Sequence, residues 1–112
     1  MSKVSTIELK IELDDQNVPA QIYWKSSEGN TEFEACKGML LSMFDAKSLD
    51  TLKIDLWTKE MQVVEMDRFF FQTLRALTAT YRKATNNAEL ANAMQQFVEY
   101  FGEQTEIIPK SE

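Results

Sequence analysis

The sequence predicts an α+β fold: an antiparallel four-stranded sheet, arranged as a meander, followed by a two-helix hairpin packed on one face. Three observations predict it. Apolar and polar residues alternate in the first half of the chain, at Ile7, Leu9, Ile11 and Leu13 and again at Leu52, Ile54 and Leu56. A period of two is the signature of a strand covered on one side. After Lys59 the spacing lengthens to three and four, at Val63, Met66, Phe70, Leu74, Leu77 and Tyr81. That is one face of a helix. Strands in a run followed by helices in a run place the chain in the α+β class.

The first strand sets Ile7, Leu9, Ile11 and Leu13 on one face and Thr6, Glu8, Lys10 and Glu12 on the other. Asp14 to Asn17 is a turn, because Asp and Asn side chains bond their own backbone and tolerate left-handed angles. The second strand runs from Ala20 to about Lys25, with Ile22 and Trp24 inward and Gln21, Tyr23 and Lys25 outward. Residues 26–31 form a loop around Gly29. Phe33 to Gly38 reads equally as a helical turn or an extended link. Met39 to Phe44 is short and densely apolar, a third strand buried at least partly on both faces. Residues 45–50 make a turn, and the fourth strand points Leu52, Ile54 and Leu56 inward and Lys53, Asp55 and Trp57 outward.

The first helix extends for about 20 residues past Lys59, the length of its apolar stripe. Asn86 is placed to cap a second helix, with Glu89 bonding back. Leu90, Met94, Phe97 and Phe101 mark that helix, which frays near Gly102 to Thr105. Ile107, Ile108 and Pro109 form a tail, either docked or loose. The whole chain, 1–112, is expected to be one domain, with about 106–112 as the tail.

Composition restricts function. Eighteen acidic residues against twelve basic ones give a net charge of −6, with no basic cluster beyond Arg82-Lys83. Nucleic-acid binding requires a basic patch to displace counterions, so no nucleic-acid partner is expected. No run approaches the roughly 20 apolar residues of a membrane span, and no membrane insertion is expected. One cysteine, Cys36, forms no internal disulfide. With an N-terminus that lacks a signal-peptide pattern, the expected location is the cytoplasm.

The chain contains no histidine. That removes the commonest general base near neutral pH and the commonest zinc ligand. Neither a phosphate-binding glycine loop nor a CxxC pair is present. No catalytic, cofactor or metal site is therefore assigned, and an enzyme is not expected. Asp14, Asp15 and Asn17 lack the glycine and closing glutamate of a calcium loop and read as a turn. Asp45 and Asp50 read the same way. Cys36 reads as a small apolar residue, since free cysteines usually pack that way.

Aromatic residues supply the candidate protein interface: Val64, Phe71, Trp57 and Tyr23. Phe69, Phe70 and Phe71 point about 100° apart around a helix, so the three cannot share one core. Phe70 lies at the centre of the stripe. Phe69 shares a flank of small residues, Thr73, Ala76 and Thr80, on which the second helix can pack. Phe71 falls on a wetter flank with Val64, Asp67, Arg75, Thr78 and Arg82. Phe71 with Val64 either contributes to a subunit or partner contact or is covered within the monomer by the tail or a loop. Trp57 and Tyr23 lie on the outward sheet face, where they either form an interface or, for Trp57, fold over the turn.

Three stretches, TIELKIELDDQNVPAQIYW, MLLSMFDAKSLDTLKIDLWTKEM and VVEMDRFFFQTLRALTATYRKAT, resemble the gliding motility protein GldC family of the Bacteroidetes, over roughly Thr6 to Phe101. IDLWTKEM at Ile54 to Met61 is the most distinctive piece, followed by the Phe69 to Leu74 segment. The resemblance implies a cytoplasmic accessory protein of gliding motility, and it carries no catalytic or binding residues with it. Three functional readings follow: an adaptor or assembly factor for motility or export machinery, acting alone or as a homodimer; a holding chaperone for exported polypeptides, similar in element order to the export chaperone SecB; and a small-molecule-binding domain.

Overall fold

A computed structural model describes residues 3–110. The described chain divides into two compact units, one ending at Met61 and the other beginning at Gln62. The first is all strand and the second all helix, as the change of apolar period requires.

The strand unit holds five strands: β1 (Ile7–Leu13), β2 (Pro19–Ser26), β3 (Glu34–Cys36), β4 (Gly38–Phe44) and β5 (Thr51–Trp57). They form two antiparallel sheets, β1-β2-β3 and β4-β5, rather than the single four-stranded meander expected. The difference lies in residues 33–38. Glu34 to Cys36 adds to β2, with Cys36 opposite Ile22 and Glu34 opposite Trp24, and takes the place expected for the strand that follows. The apolar Gly38–Phe44 segment then pairs only with β5. Lys37 separates the two strands, and its carbonyl accepts the Thr58 N–H at 2.8 Å. Three residues, with the small apolar Ala35 and Cys36 adjacent, carry no readable alternation, so β3 leaves little trace in the sequence.

The β1–β2 register sets Leu9 opposite Trp24 and Ile11 opposite Ile22, with an irregularity at Glu12 and Leu13. Ile22 is fully buried and forms the centre of this unit, and Thr58 is buried as well. The two tight turns are built by aspartates. Asp14 Oδ1 accepts the N–H groups of Gln16 (2.8 Å) and Val18 (3.0 Å), while Asn17 takes the left-handed conformation at φ 61°. Asp45 Oδ2 accepts those of Lys47 (3.0 Å) and Ser48 (2.8 Å), and Leu49 is left-handed at φ 60°. On β4, Met39, Leu40 and Leu41 are half-buried, but Ser42, Met43 and Phe44 are exposed, so burial on both faces extends over only the first part of that strand.

The helical unit is a hairpin of α1 (Val63–Thr85) and α2 (Ala88–Gln104). Glu65 Oε1 accepts the Gln62 N–H at 3.0 Å and closes the start of α1. Asn86, expected to cap α2, instead ends α1 in the left-handed conformation, its N–H bonded to the Arg82 carbonyl. Its neighbour Asn87 is the N-cap, accepting the Leu90 N–H at 3.0 Å. Two adjacent asparagines thus divide two tasks suited to their short amide side chain.

The helices meet on a flank the apolar stripe does not mark. The buried residues are Phe71 and Thr78 on α1 and Ala91, Val98 and Gly102 on α2. The Phe69 flank, expected to receive α2, has Ala76 and Thr80 exposed. A missing side chain on α2 explains the choice, since Gly102 leaves room for the Phe71 ring. Thr78 fits the interface because its hydroxyl bonds its own Leu74 carbonyl at 2.9 Å.

The tail is docked. Ile107 N–H bonds the Gly102 carbonyl at 2.9 Å and Glu106 N–H bonds Glu103 at 3.1 Å. With Glu106 left-handed at φ 62°, these bonds make the Schellman pattern that ends a helix.

Candidate interaction surfaces

The strand alternation turns Trp57 to the side opposite Leu56, at the last position of β5. In the ladder it faces Gly38, so no side chain lies across the strand to cover it. Its indole is 53% exposed. Tyr23 sits on the other sheet, at the position of β2 opposite Lys10. It is half-buried, with Lys10 Nζ 5.8 Å from the ring centroid and its hydroxyl donating to Gln21 Oε1. The adjacent Phe33 ring is flanked by Lys10 at 5.7 Å and Lys25 at 4.7 Å. Cations over aromatic faces are held by the ring quadrupole, so this side of the sheet is a mixed cationic and aromatic surface. Trp57 and Tyr23 belong to separate sheets and do not share one ladder.

On the hairpin, Val64 is 63% exposed in the first turn of α1. Phe71, two turns on, is only 6% exposed and is therefore no surface residue. Its Cε1 lies 2.6 Å from where a Cβ on Gly102 would be, and Ile108 Cγ1 lies 2.9 Å from the same point. Arg75 covers another side of the ring, 5.4 Å from its centroid. Of the two readings of Phe71, cover by the tail is the one observed. The cause is the Gly102 gap, which the ring fills from α1 and Ile108 closes from the tail.

Sequence periodicity also missed an exposed set. Phe70, Leu77, Leu90 and Phe97 lie on stripes expected to be core, yet all are exposed, Leu77 to 54% and Phe97 to 52%. Phe97 stacks loosely on Tyr100 and Phe101, with centroids 6.3 Å from each. The signal that could have corrected the reading is Gly102, since an isolated glycine inside a helix usually has a packing reason.

Two aspartates and the cysteine are shifted from their ordinary titration. Hydrogen bonds from the Val18 and Gln16 N–H groups and from Lys59 Nζ, 3.1 Å away, hold Asp14 below the ordinary aspartate value of 3.8. The N–H groups of Ser48 and Lys47 do the same for Asp45. Burial raises the Cys36 thiol above its ordinary value, which favours the unreactive protonated form. A hollow of about 310 Å³ beside Cys36, lined also by Ile22, Tyr23, Thr58 and Glu60, is at the small end of ligand sites. Among the described residues, no group of three or more His, Cys, Asp or Glu is placed to hold a metal ion. No helix among them is long and apolar enough to cross a membrane.

The two lowered aspartates make acid stability testable. A folded-state pKa below the unfolded value contributes stability above that value and loses it as pH falls through the folded pKa. Stability to urea is therefore expected to fall from about pH 5 downward. The double variant Asp14→Asn/Asp45→Asn should start less stable at pH 7 and lose less on acidification. Equal pH slopes for wild type and variant would show that these turns do not control the acid limb.

No curated protein and no solved structure matches the chain. The family model described as Gliding motility-associated protein GldC-like matches residues 19–107, from the start of β2 through both helices into the docked tail. With that match over most of its length, the chain belongs to the GldC-like family of gliding motility-associated proteins.

Proposed function

We propose that this protein is a cytoplasmic, non-enzymatic accessory component of gliding motility that works as an adaptor or assembly factor by binding other proteins. The observation that carries this reading is the amount of large apolar surface left open on regular elements. Trp57 on β5, Val64 at the start of α1, and Phe70, Leu77, Leu90 and Phe97 along the hairpin are all exposed. Scattered apolar side chains are normal on any surface, but helix-long rows of them mark places where another surface belongs. Aromatic anchors such as Trp57 are the residue type that dominates binding energy at such places. The absence of any imidazole from the sequence supports a contact role over a catalytic one.

Crosslinking and recovery of the tagged protein from a gliding bacterium tests the reading. Wild type is expected to bring down a defined set of motility or export components. Trp57→Ala or Phe97→Asp should lose one or more of them while the far-UV circular dichroism spectrum stays native. Identical recovery by wild type and both variants would remove these surfaces from the account.

The same exposed rows favour a second reading, a holding chaperone for exported polypeptides. That activity would appear as suppressed aggregation of an unfolded client. No suppression at molar excess of this protein would reject it.

A further inference from the structure

Strand β1 is the edge of its sheet: β2 lies on one side, and among the described residues no strand pairs with the other. Its pairing with β2 keeps one register from Ile7 to Glu12, and Ile7, Leu9 and Leu13 are exposed. An edge of this kind presents unpaired N–H and C=O groups and is a template for strand addition.

The direction of those groups is fixed by the ladder. Ser27 N–H donates to the Thr6 carbonyl at 3.0 Å, and Asp14 N–H donates to the Val18 carbonyl at 2.9 Å. Ser26, opposite Ile7, sends its N–H away from β1 to the Asn30 carbonyl. Even-numbered residues of β1 therefore turn their backbone toward β2. Ile7, Leu9 and Ile11 aim theirs out of the open edge, since the pattern alternates strictly in an antiparallel strand.

We propose that the occupant of this edge is β1 of a second copy, paired antiparallel about a twofold axis normal to the sheet and passing beside Leu9. In that register Leu9 meets Leu9 of the second copy, and Ile7 meets Ile11 in both directions. All are residues whose backbone groups point outward, so each pair exchanges both of its hydrogen bonds. The apolar faces of both sheets then lie on the same side and join into one surface.

Charge selects this register over its neighbours. On the polar face, Glu8 meets Lys10 of the second copy and Lys10 meets Glu8, two opposite-charge cross-strand pairs. Centring on Lys10 instead would oppose Lys10 to Lys10 and Glu8 to Glu12, twice. Centring on Ile11 would offset its Lys10–Glu12 pairs with Glu8 opposite Asp14, and would run the ladder into the irregularity at Glu12 and Leu13. A lysine on an edge ordinarily blocks strand addition; here it is the residue that recognises the copy. Within one chain Glu8 and Lys10 already pair with Lys25 at 3.8 Å and Glu12 at 3.7 Å. Both remain more than half exposed at the side chain, so each can accept a second partner.

Sedimentation and light scattering on the full chain, with hydrogen exchange read residue by residue, test the pairing. The expected mass is twice 13.0 kDa. The Ile7, Leu9 and Ile11 amides should become protected as concentration rises, although among the described residues no strand pairs with the edge they face. Glu8→Lys and Lys10→Glu should each weaken association by about tenfold or more, and the combined charge swap should restore it. Leu9→Pro should give a monomer, because an edge strand tolerates the missing outward N–H and the dimer does not. A wild-type monomer at high micromolar concentration overturns the proposal. So does a dimer indifferent to the single charge changes or not rescued by the swap, whatever Leu9→Pro does to folding.

Discussion

Phe71→Ala is expected to destabilise the helical unit by about 3–5 kcal/mol, the range for removing a large aromatic side chain from a packed site. The ring is among the four buried hydrophobic side chains of the described chain and the only aromatic one. It is enclosed by α2 at Gly102, by the tail at Ile108 and by the Arg75 side chain. Truncation would leave a cavity that α2 cannot collapse into without shifting Ala91 and Val98, both almost fully buried. It would also remove the surface on which Ile108 rests. Urea unfolding followed by circular dichroism at 222 nm measures the effect. A loss under about 1 kcal/mol would be ordinary for a surface site and would contradict this placement.

Gly102→Ala separates two physical effects of opposite sign. By helix propensity alone, alanine in place of a helical glycine stabilises by up to about 1 kcal/mol. Packing opposes it, because the new methyl would stand 2.6 Å from Phe71 Cε1 and 2.9 Å from Ile108 Cγ1. Something must move, and neither neighbour is a free side-chain end. Phe71 is wedged between helices, and the Ile108 N–H is tied to the Gly102 carbonyl itself at 3.2 Å. Overpacking of this kind costs about 1–3 kcal/mol, so the net change should be destabilising, and Gly102→Val should be worse. The two predictions are coupled. In a Phe71→Ala background the methyl gains room, and Gly102→Ala should become nearly neutral or stabilising. A double-mutant cycle with no interaction energy would show that the ring and the glycine do not share one space.

These two residues also show what the sequence made legible. The elements themselves were readable: the alternation at Ile7 to Leu13 and Leu52 to Leu56 gives β1 and β5, and the three-and-four spacing gives both helices. Hydrophobicity reports which residues prefer to leave water, but it does not say which neighbour they meet. The stripe through Phe70 and Leu77 is the most apolar line on α1, yet α2 packs beside it, on Phe71 and Thr78. Complementary shape decided that contact, and shape is carried by small residues such as Ala91 and Gly102 that a hydrophobic pattern passes over. Sheet topology escaped for a related reason. Glu34 to Cys36 joins β2 through its backbone, and backbone hydrogen bonding leaves no mark in side-chain composition.

Of the interface candidates, Val64 lies off the apolar line and is exposed, while the sequence leaves Trp57 open between an exposed face and a fold over the turn. Trp57 has a glycine opposite, a feature visible only once the β4–β5 register is known. Tyr23 is half-committed to its own sheet through Lys10. Phe71 went the other way, since its flank of Asp67, Arg75 and Arg82 reads as wet while the ring itself reaches past them.

Both tryptophans, Trp24 and Trp57, stand on strands, and both helices of the described chain lie after Gln62. Indole fluorescence therefore watches one unit and ellipticity at 222 nm watches mainly the other, with no label added. A denaturation experiment recorded through both channels is in effect two experiments on one sample. Superimposable traces would mean that the polypeptide melts as a single cooperative body, and separated traces that its halves melt in turn.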